Sequence, residues 1–207
     1  AGESVNTYAI AKDSYTYGAN YSETFVPANL TISQRPITIT ADPKSKTYGD
    51  ADPTLTAQVT SGTIVSGDAV SGTLKRAAGE NVNIYAIAKD SYTFGANYSE
   101  TFVPANLTIS QRAITITADP KSKTYGDADP TLTAQVTSGT IVSGDAASGT
   151  LKRAAGESAN TYAINQNDYS FGANYSETFV PANLTISQRP ITITADPKSK
   201  TYGDADP

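Results

Sequence analysis

The stretch ITITADPKSKTYGDADP runs from Ile37 to Pro53 and returns, residue for residue, at Ile114 and at Ile191. Each copy follows the seven residues NLTISQR and one further residue, so two β-like runs are joined by a short polar step. The copies are spaced by 77 residues. That period exceeds the roughly 20–50 residues of a solenoid coil. It is typical of a small domain repeated in tandem.

The period divides the 207-residue chain into four parts. They are the C-terminal part of one repeat (1–35), two complete repeats (36–112 and 113–189) and the N-terminal part of another (190–207). The two complete repeats differ at ten of 77 positions, several of them clustered at 88–91 and the corresponding 165–168. Since the chain begins and ends inside a repeat, we expect it to be a window of a longer protein.

The composition excludes several classes of function. The sequence contains no Cys, Met, Trp or His, which rules out disulfides, thiol chemistry, His or Cys metal ligands and a His general base. A net charge of −5 and a pI near 4.7 argue against nucleic acid and anionic membrane surfaces as partners. No apolar run approaches the roughly 18 residues that a membrane-spanning helix needs.

Hydrophobic periodicity predicts an all-β repeat. Thr, Ser, Val, Ile and Tyr dominate, and alternation with period two recurs between clusters of Gly, Pro, Asn and Asp. We predict residues 44–46 as a polar connector and residues 91–97 as a loop or short ribbon. The predicted strands of the first complete repeat are 37–41, 54–60, 64–65, 73–77, 84–88, 98–103 and 106–110.

Seven short strands in 77 residues predict a small β-sandwich of immunoglobulin-like type, with a β-grasp-like sheet as the alternative. If the strands alternate in direction, an odd number places the two ends of a repeat at opposite poles. The linker between repeats is only a few residues long, so the domains are expected to form a stiff, elongated array. The mechanical load would be carried by residues 110–118 of the joint and by the predicted core residues Ile37, Ile39, Leu107 and Ile109.

Glu100 is an unusual residue for its position. Alternation places it on the same face of strand 98–103 as Tyr98 and Phe102. A lone carboxylate on a buried apolar face is costly. We therefore predict that this strand lies at a sheet edge, where an inward charge discourages pairing with another chain.

The order of motifs points to a known family. The segments ITITADPKSKTYGDADPTLT, SGD, GTLKRAAGE, YAI, GANYSETF and LTIS cover essentially the whole repeat. This combination resembles the MBG repeat of YGX type, found in tandem in very large bacterial surface proteins. Tyr48-Gly49-Asp50 carries the signature of the type, whereas Glu100 departs from the pattern. Further positions that fit the pattern are Asp68, Arg76, Gly79, Tyr85, Ile87, Asn97 and Tyr98. The resemblance implies an extracellular adhesin in which the units serve as stalk or fibre, and it implies no defined ligand.

The best candidate site in the sequence is acidic. Calcium requires six to eight oxygen ligands, and many extracellular arrays use it to rigidify their junctions. Asp before Pro or Gly is also ordinary turn chemistry, so both readings stay open, with Asp68 and Glu80 as possible further ligands. The candidate calcium ligands are Asp42, Asp50, Asp52, Asp119, Asp127 and Asp129. No other cofactor is expected.

Other features have simpler structural explanations. Asn20, Asn97 and Asn174 open N-Y-S sequons, and Asn29, Asn106 and Asn183 open N-L-T sequons, yet Asn is also common at strand ends. The thirteen Tyr and five Phe residues suggest either carbohydrate stacking or, more simply, the core. An enzyme is not expected, because a hydrolase without His or Cys would need paired carboxylates, and the acidic residues here fall at turns and edges.

Together these features predict a structural module of the bacterial cell surface. Stiff β-sandwich repeats would project an adhesive tip or build an extracellular fibre, with neighbouring repeats of the same chain as their contacts. One alternative is a module in which many weak copies bind host glycan or protein through avidity. Another is self-association into a matrix fibre, in which units of separate chains pair edge to edge or exchange strands.

Overall fold

The structure, a computed structural model, describes residues 3–207. All regular secondary structure in this part of the chain is β-strand, which confirms the all-β prediction. The described residues accordingly include no helix that could cross a lipid bilayer. The chain divides into two compact units, Ala1–Arg112 and Ala113–Pro207.

The first unit consists of a hairpin followed by a complete repeat. The hairpin pairs β1 (Asn6–Ile10) with β2 (Ala28–Ile32) in antiparallel fashion. The strands of the repeat are β3 (Arg35–Ala41), β4 (Lys44–Thr47), β5 (Ala57–Ser61), β6 (Leu74–Arg76), β7 (Asn83–Lys89), β8 (Tyr98–Val103) and β9 (Ala105–Ser110).

The second unit contains the second complete repeat. Its strands are β10 (Arg112–Ala118), β11 (Lys121–Thr124), β12 (Ala134–Ser138), β13 (Lys152–Arg153), β14 (Thr161–Asn165), β15 (Tyr175–Val180) and β16 (Ala182–Ser187). The strand positions match those of the first repeat because the two sequences are nearly identical.

Each repeat folds into two sheets. In the first repeat, the strand order is β5-β3-β8 in a three-stranded sheet and β4-β9-β7-β6 in a four-stranded sheet. The second repeat has the corresponding orders β12-β10-β15 and β11-β16-β14-β13. In this repeat, Ala118 of the first sheet joins Ile164, Leu184 and Ile186 of the second in one buried cluster, so the two sheets share a core.

Two segments of each repeat pass from one sheet to the other at a proline. Pro43 separates β3 from β4, and Pro104 separates β8 from β9. Proline cannot donate to a strand ladder, so it interrupts pairing where the chain changes sheets. The two segments lie side by side and run in the same direction, because β3 pairs with β8 and β4 with β9 in parallel.

This pairing determines where a repeat begins and ends. Arg35 at the start of β3 lies opposite Tyr98, the first residue of β8. Ser110 at the end of β9 lies opposite Thr47, the last residue of β4. The repeat therefore has its start and its end at opposite poles, although its strands do not alternate in direction as the prediction assumed, since the first strand is parallel to the sixth and the second to the seventh.

One of the seven predicted strands and the predicted connector were wrong. Residues 44–46 belong to strand β4, not to a connector, and the signal was missed because the inward side chain of β4 is Lys46 instead of an apolar residue. Residues 64–65 form no strand, since the backbone N–H of Val65 donates to the hydroxyl of Tyr98 at 2.9 Å. The number of strands per repeat remains seven.

The core follows the predicted alternation. Ile37 and Ile39 of β3 are buried, as are Leu107 and Ile109 of β9, whereas Thr38 and Thr40 are only partly covered. Full burial of one such side chain contributes about 1.5–3 kcal/mol. The alternating isoleucines of the repeated ITIT stretch therefore anchor its first strand.

Candidate functional site

The Tyr-Gly-Asp signature forms a tight turn at the end of β4. The N–H of Asp50 donates to the carbonyl oxygen of Thr47 at 3.0 Å, and Gly49 has a φ of 82°. A positive φ at the third residue of a turn is the type II geometry that glycine adopts without steric cost. Residues 47–50, and 124–127 in the second repeat, are called the signature turn below.

The signature turn is bonded to the last residues of its own repeat. The N–H of Tyr48 donates to the carbonyl oxygen of Ser110 at 2.9 Å. Arg112 donates from Nε to the carbonyl oxygen of Tyr48 at 2.7 Å and from Nη2 to the carboxylate of Asp50. The second repeat repeats these bonds from Arg189 to Tyr125 and Asp127. The signature turn thus connects the second strand of each complete repeat, β4 or β11, to the residues where the chain leaves that repeat.

A cluster of four charged side chains lies next to this turn. Lys46 donates to Asp52 at 2.7 Å and to Glu80 at 2.6 Å, and only 4% of its side chain is exposed. Arg76 donates to Asp52 at 2.6 Å and also contacts Glu80. We call Lys46, Asp52, Arg76 and Glu80 the ionic cluster; its counterpart is Lys123, Asp129, Arg153 and Glu157.

The ionic cluster connects the two edges of the four-stranded sheet through side chains. Lys46 lies on β4 and Arg76 on β6, which are the two opposite edges of that sheet. Asp52 accepts hydrogen bonds from both side chains, so the ionic cluster bridges the two edge strands, which are not hydrogen-bonded to each other.

Arg76 is held in place by backbone and ring contacts as well. Its Nη1 donates to the carbonyl oxygens of Ala77 and Gly79, and its guanidinium carbon lies 5.5 Å from the centre of the Tyr85 ring. Gly79 has a φ of 136°, and a Cβ there would lie 2.3 Å from Cε1 of Tyr85. The arginine, glycine and tyrosine that fit the family pattern therefore form one packed unit.

The ionic cluster shifts the pKa values of its members. Hydrogen bonds from Arg76 and then Lys46 lower the pKa of Asp52 to about 2. Burial acts to lower the pKa of Lys46, but its bonds to Asp52 and Glu80 outweigh burial and raise it. Bonds from Lys46 and Arg76 lower the pKa of Glu80. All four groups are charged at neutral pH, which suits an ion-pair network and not a proton donor or acceptor.

Glu100 lies on an edge strand, as predicted. It is part of β8, which borders the three-stranded sheet, and its side chain is 7% exposed. Its carboxylate accepts hydrogen bonds from Lys89, from Thr93 Oγ1 at 2.9 Å and from the N–H of Phe94 at 2.6 Å. Burial acts to raise the pKa of Glu100, but these bonds outweigh it and lower the pKa.

These bonds hold a loop over the sheet. Residues 91–97, called the aromatic loop below, place Tyr92 and Phe94 against the buried cluster of Ile37, Ile39 and Tyr98. In the second repeat, Glu177 accepts from Gln166, Ser170 and the N–H of Phe171 instead. The carboxylates of Glu100 and Glu177 therefore hold the aromatic loop and its counterpart in place.

Tyr98 connects this core to the 65–68 turn. Its hydroxyl donates to Asp68 Oδ2 at 2.6 Å and accepts from the N–H of Val65. Tyr175 makes the same two bonds, to Asp145 and Val142. Asp68, a possible further calcium ligand in the sequence, thus serves as the hydrogen-bond acceptor of a buried tyrosine.

The structure gives the candidate calcium ligands three different sets of partners. Asp42 accepts from Thr56 Oγ1 at 2.6 Å and from Gln58 Nε2 at 2.9 Å. Asp50 pairs with Arg112, and Asp52 belongs to the ionic cluster. Asp119, Asp127 and Asp129 repeat these three arrangements. Within residues 3–207, no three acidic side chains gather in a way that could hold a metal ion. Calcium binding stays a prediction.

Sequence reasoning missed the role of Lys46. The signal that could have found it is the repeated pairing of two Lys residues with three acidic residues in ADPKSKTYGDADP, followed by Arg76 and Glu80. Opposite charges interspersed near turn residues indicate local ion pairs before they indicate a metal site.

Comparison with known proteins gives one match. The family model described as MBG domain (YGX type) matches residues 37–108 and 114–185. The searches of curated proteins and of solved structures returned no match.

Proposed function

The chain belongs to the MBG domain family of YGX type, and we propose that its repeats are the structural spacer of a bacterial adhesin or surface fibre. A tandem array of MBG domains is consistent with a repeat region of an extracellular surface protein. In our proposal, the repeats extend a tip or build a filament, and they carry no catalytic activity.

One observation carries this proposal. The first strand β3 pairs in parallel with β8, and the second strand β4 pairs in parallel with the last strand β9, so the chain enters a repeat at the Arg35 pole and leaves it at the Ser110 pole. A domain of this kind adds its own length to a tandem chain. A domain with both ends at one pole would add a side branch instead.

The charged residues support the same function. Lys46, Arg76 and Arg112 are all bonded to carboxylates of their own repeat. Glu100 is engaged in the same way by the aromatic loop and Lys89. These groups stabilise the domain, and near-identical copies of a stable domain suit a spacer.

The proposed location is the bacterial cell surface, and the proposed contacts are neighbouring repeats of the same chain. The net charge of −5 keeps such repeats soluble and gives them no attraction to nucleic acid or to anionic membranes.

Small-angle X-ray scattering tests the spacer function directly. Proteins with two, four and eight complete repeats should increase in maximum dimension by a constant amount per repeat. Growth with about the square root of repeat number would describe a flexible string and contradict a spacer. Electron microscopy of the longest protein supplies the same measurement on single molecules.

The same proteins distinguish the two alternatives. Binding that strengthens with repeat number in a glycan or host-protein screen would replace the spacer by a multivalent binding module. Oligomers that grow with protein concentration in sedimentation experiments would indicate a self-associating fibre. A monomer that binds none of the screened ligands supports the spacer.

A further inference from the structure

The two ends of a repeat are joined by adjacent parallel strands. In the first complete repeat, β3 pairs with β8 over six residue pairs, from Arg35↔Tyr98 to Thr40↔Val103. After both segments change sheets, β4 pairs with β9 over four more, from Lys44↔Leu107 to Thr47↔Ser110. Nearly the whole length of the first segment is therefore bonded to the last.

Further hydrogen bonds close both ends of this paired region. At the start, the N–H of Arg35 donates to the carbonyl oxygen of Asn97 at 3.0 Å. At the end, the N–H of Tyr48 donates to the carbonyl oxygen of Ser110 at 2.9 Å, and Arg112 bonds the signature turn.

The second repeat preserves the arrangement. β11 pairs with β16 in parallel from Lys121↔Leu184 to Thr124↔Ser187, and β10 is the neighbour of β15. Tyr125 donates to the carbonyl oxygen of Ser187 at 2.8 Å, and Arg189 bonds Tyr125. The feature thus belongs to the repeat and not to one copy.

This geometry determines how a repeat responds to tension. A pull transmitted by the chain acts on the start of β3 and, in the opposite direction, on the end of β9. Because the bonded segments are parallel, the pull acts along the strands and loads their hydrogen bonds together. Each bond contributes only about 1 kcal/mol. Because many of them must break at the same time, their contributions add to the barrier that sets the unfolding rate, and that rate governs forced unfolding.

We propose that the parallel pairs β3–β8 and β4–β9 form a mechanical clamp, which lets each repeat carry tension along the chain without unfolding. This goes beyond a spacer, since a spacer requires only length, whereas a clamp requires resistance to force in one direction. The clamp consists of backbone bonds between residues 35–47 and 98–110, closed at the exit by Arg112.

Single-molecule force spectroscopy on the full chain tests the clamp. The sequence has no cysteine, so pairs of introduced thiols define the pulling points. The variant Gln34→Cys with Gln111→Cys pulls the first complete repeat from its two poles. The variant Gln34→Cys with Ala96→Cys pulls β3 and β8 apart from the same pole. Positions 34, 96 and 111 are exposed, and both variants share one attachment point.

We expect a severalfold higher unfolding force for the 34–111 pair than for the 34–96 pair at the same loading rate. In the first geometry the bonds break together, and in the second they peel one after another. Each event at the 34–111 pair should release up to about 270 Å of chain, at roughly 3.5 Å per residue. Equal forces in the two geometries would overturn the clamp. The constant length per repeat in scattering would still stand in that case, so failure of the clamp is distinguishable from failure of the spacer.

Discussion

Arg112 donates a hydrogen bond from Nε to the carbonyl oxygen of Tyr48, 64 residues earlier in the chain, over 2.7 Å. The same guanidinium pairs with Asp50, so one side chain holds both sides of Gly49 in the signature turn. The arginine comes directly after the last strand of its repeat. The signature that gives the family type its name therefore closes the repeat, and its conformation depends on a residue at the opposite end of the repeat sequence.

Removal of this arginine should loosen the turn. We expect Arg112→Ala to lower the free energy of unfolding by about 1–2 kcal/mol, since it removes a charge-assisted bond and an ion pair that are only partly exposed. Hydrogen exchange, read by mass spectrometry, should accelerate at residues 47–50 and remain unchanged at the aromatic loop.

Arg35 supplies the matched control. It occupies the same position of the repeat, but it donates to Thr63 Oγ1 at 3.0 Å. Arg35→Ala should leave exchange in residues 47–50 as it is in the unmodified protein. The same acceleration there in both variants would show that the signature turn does not depend on Arg112.

Gly79 should be among the least replaceable residues of the repeat. A Cβ at this position would lie 2.3 Å from Tyr85 Cε1, and the φ of 136° is one that L side chains rarely adopt. We expect Gly79→Ala to cost about 1–3 kcal/mol for overpacking, in addition to about 1–2 kcal/mol of backbone strain. Urea denaturation monitored by tyrosine fluorescence measures the sum.

Gly67→Ala separates the two contributions. Gly67 also has a positive φ, of 96°, but a Cβ at this position would have no other atom within 4 Å. Its replacement should therefore cost the backbone strain alone, about 1–2 kcal/mol. Equal losses in the two variants would mean that the Tyr85 ring moves aside without cost.

The fold was predictable from the sequence where apolar alternation marks it. Ile37 and Ile39 predict β3 because every second residue of the stretch is apolar, and both are buried in the structure. Strand β4 was missed because its inward residue, Lys46, is charged. Asp52 and Glu80, which lie outside the strand, form the ion pairs that stabilise this buried charge. Parallel pairing between the first and last segments also leaves no local signal, since it joins residues about 60 positions apart.

The site was predictable only in part. The edge position of Glu100 followed from the cost of burying a lone carboxylate, and the structure has β8 at a sheet edge. The alternation could not show which groups bond the carboxylate of Glu100. The structure shows that the backbone N–H of Phe94 and the side chain of Lys89 donate to it. Side-chain partners of this kind depend on loop geometry, which period-two patterns do not encode.

Acid should weaken the ionic cluster. The pKa of Asp52 is lowered to about 2 in the folded protein, so this group stabilises the fold above its ordinary pKa of 3.8, and that contribution is lost as the pH falls towards 2. Because 42% of the Asp52 side chain is exposed, solvent screening limits the loss to about 1 kcal/mol or less per repeat. Denaturant titrations between pH 5 and pH 2 measure it.

The variant Asp52→Asn with Asp129→Asn removes the titrating group from both repeats. Its stability should be lower at pH 5 and should depend less on pH between 4 and 2 than that of the unmodified protein. An unchanged slope over this interval would assign the acid sensitivity to other carboxylates, such as Glu80, whose pKa is also lowered by Lys46 and Arg76.

The two repeats differ naturally at the residue that bonds the equivalent glutamates Glu100 and Glu177. Lys89 Nζ pairs with Glu100 in the first repeat, whereas Gln166 Nε2 donates to Glu177 Oε2 at 2.8 Å in the second. Both glutamates keep a backbone N–H of the aromatic loop as a second donor. The loop therefore requires a donor at this position, and the charge of that donor is secondary.

This comparison predicts the ranking of two variants at one position. Lys89→Gln should change the free energy of unfolding by less than about 0.5 kcal/mol, since glutamine can reproduce the contact made in the second repeat. Lys89→Ala should cost about 1–2 kcal/mol, because the buried carboxylate of Glu100 loses a donor. Hydrogen exchange in residues 91–97 should accelerate in the alanine variant alone. If the glutamine variant is destabilised as much as the alanine variant, the positive charge of Lys89 is what holds the aromatic loop over the sheet.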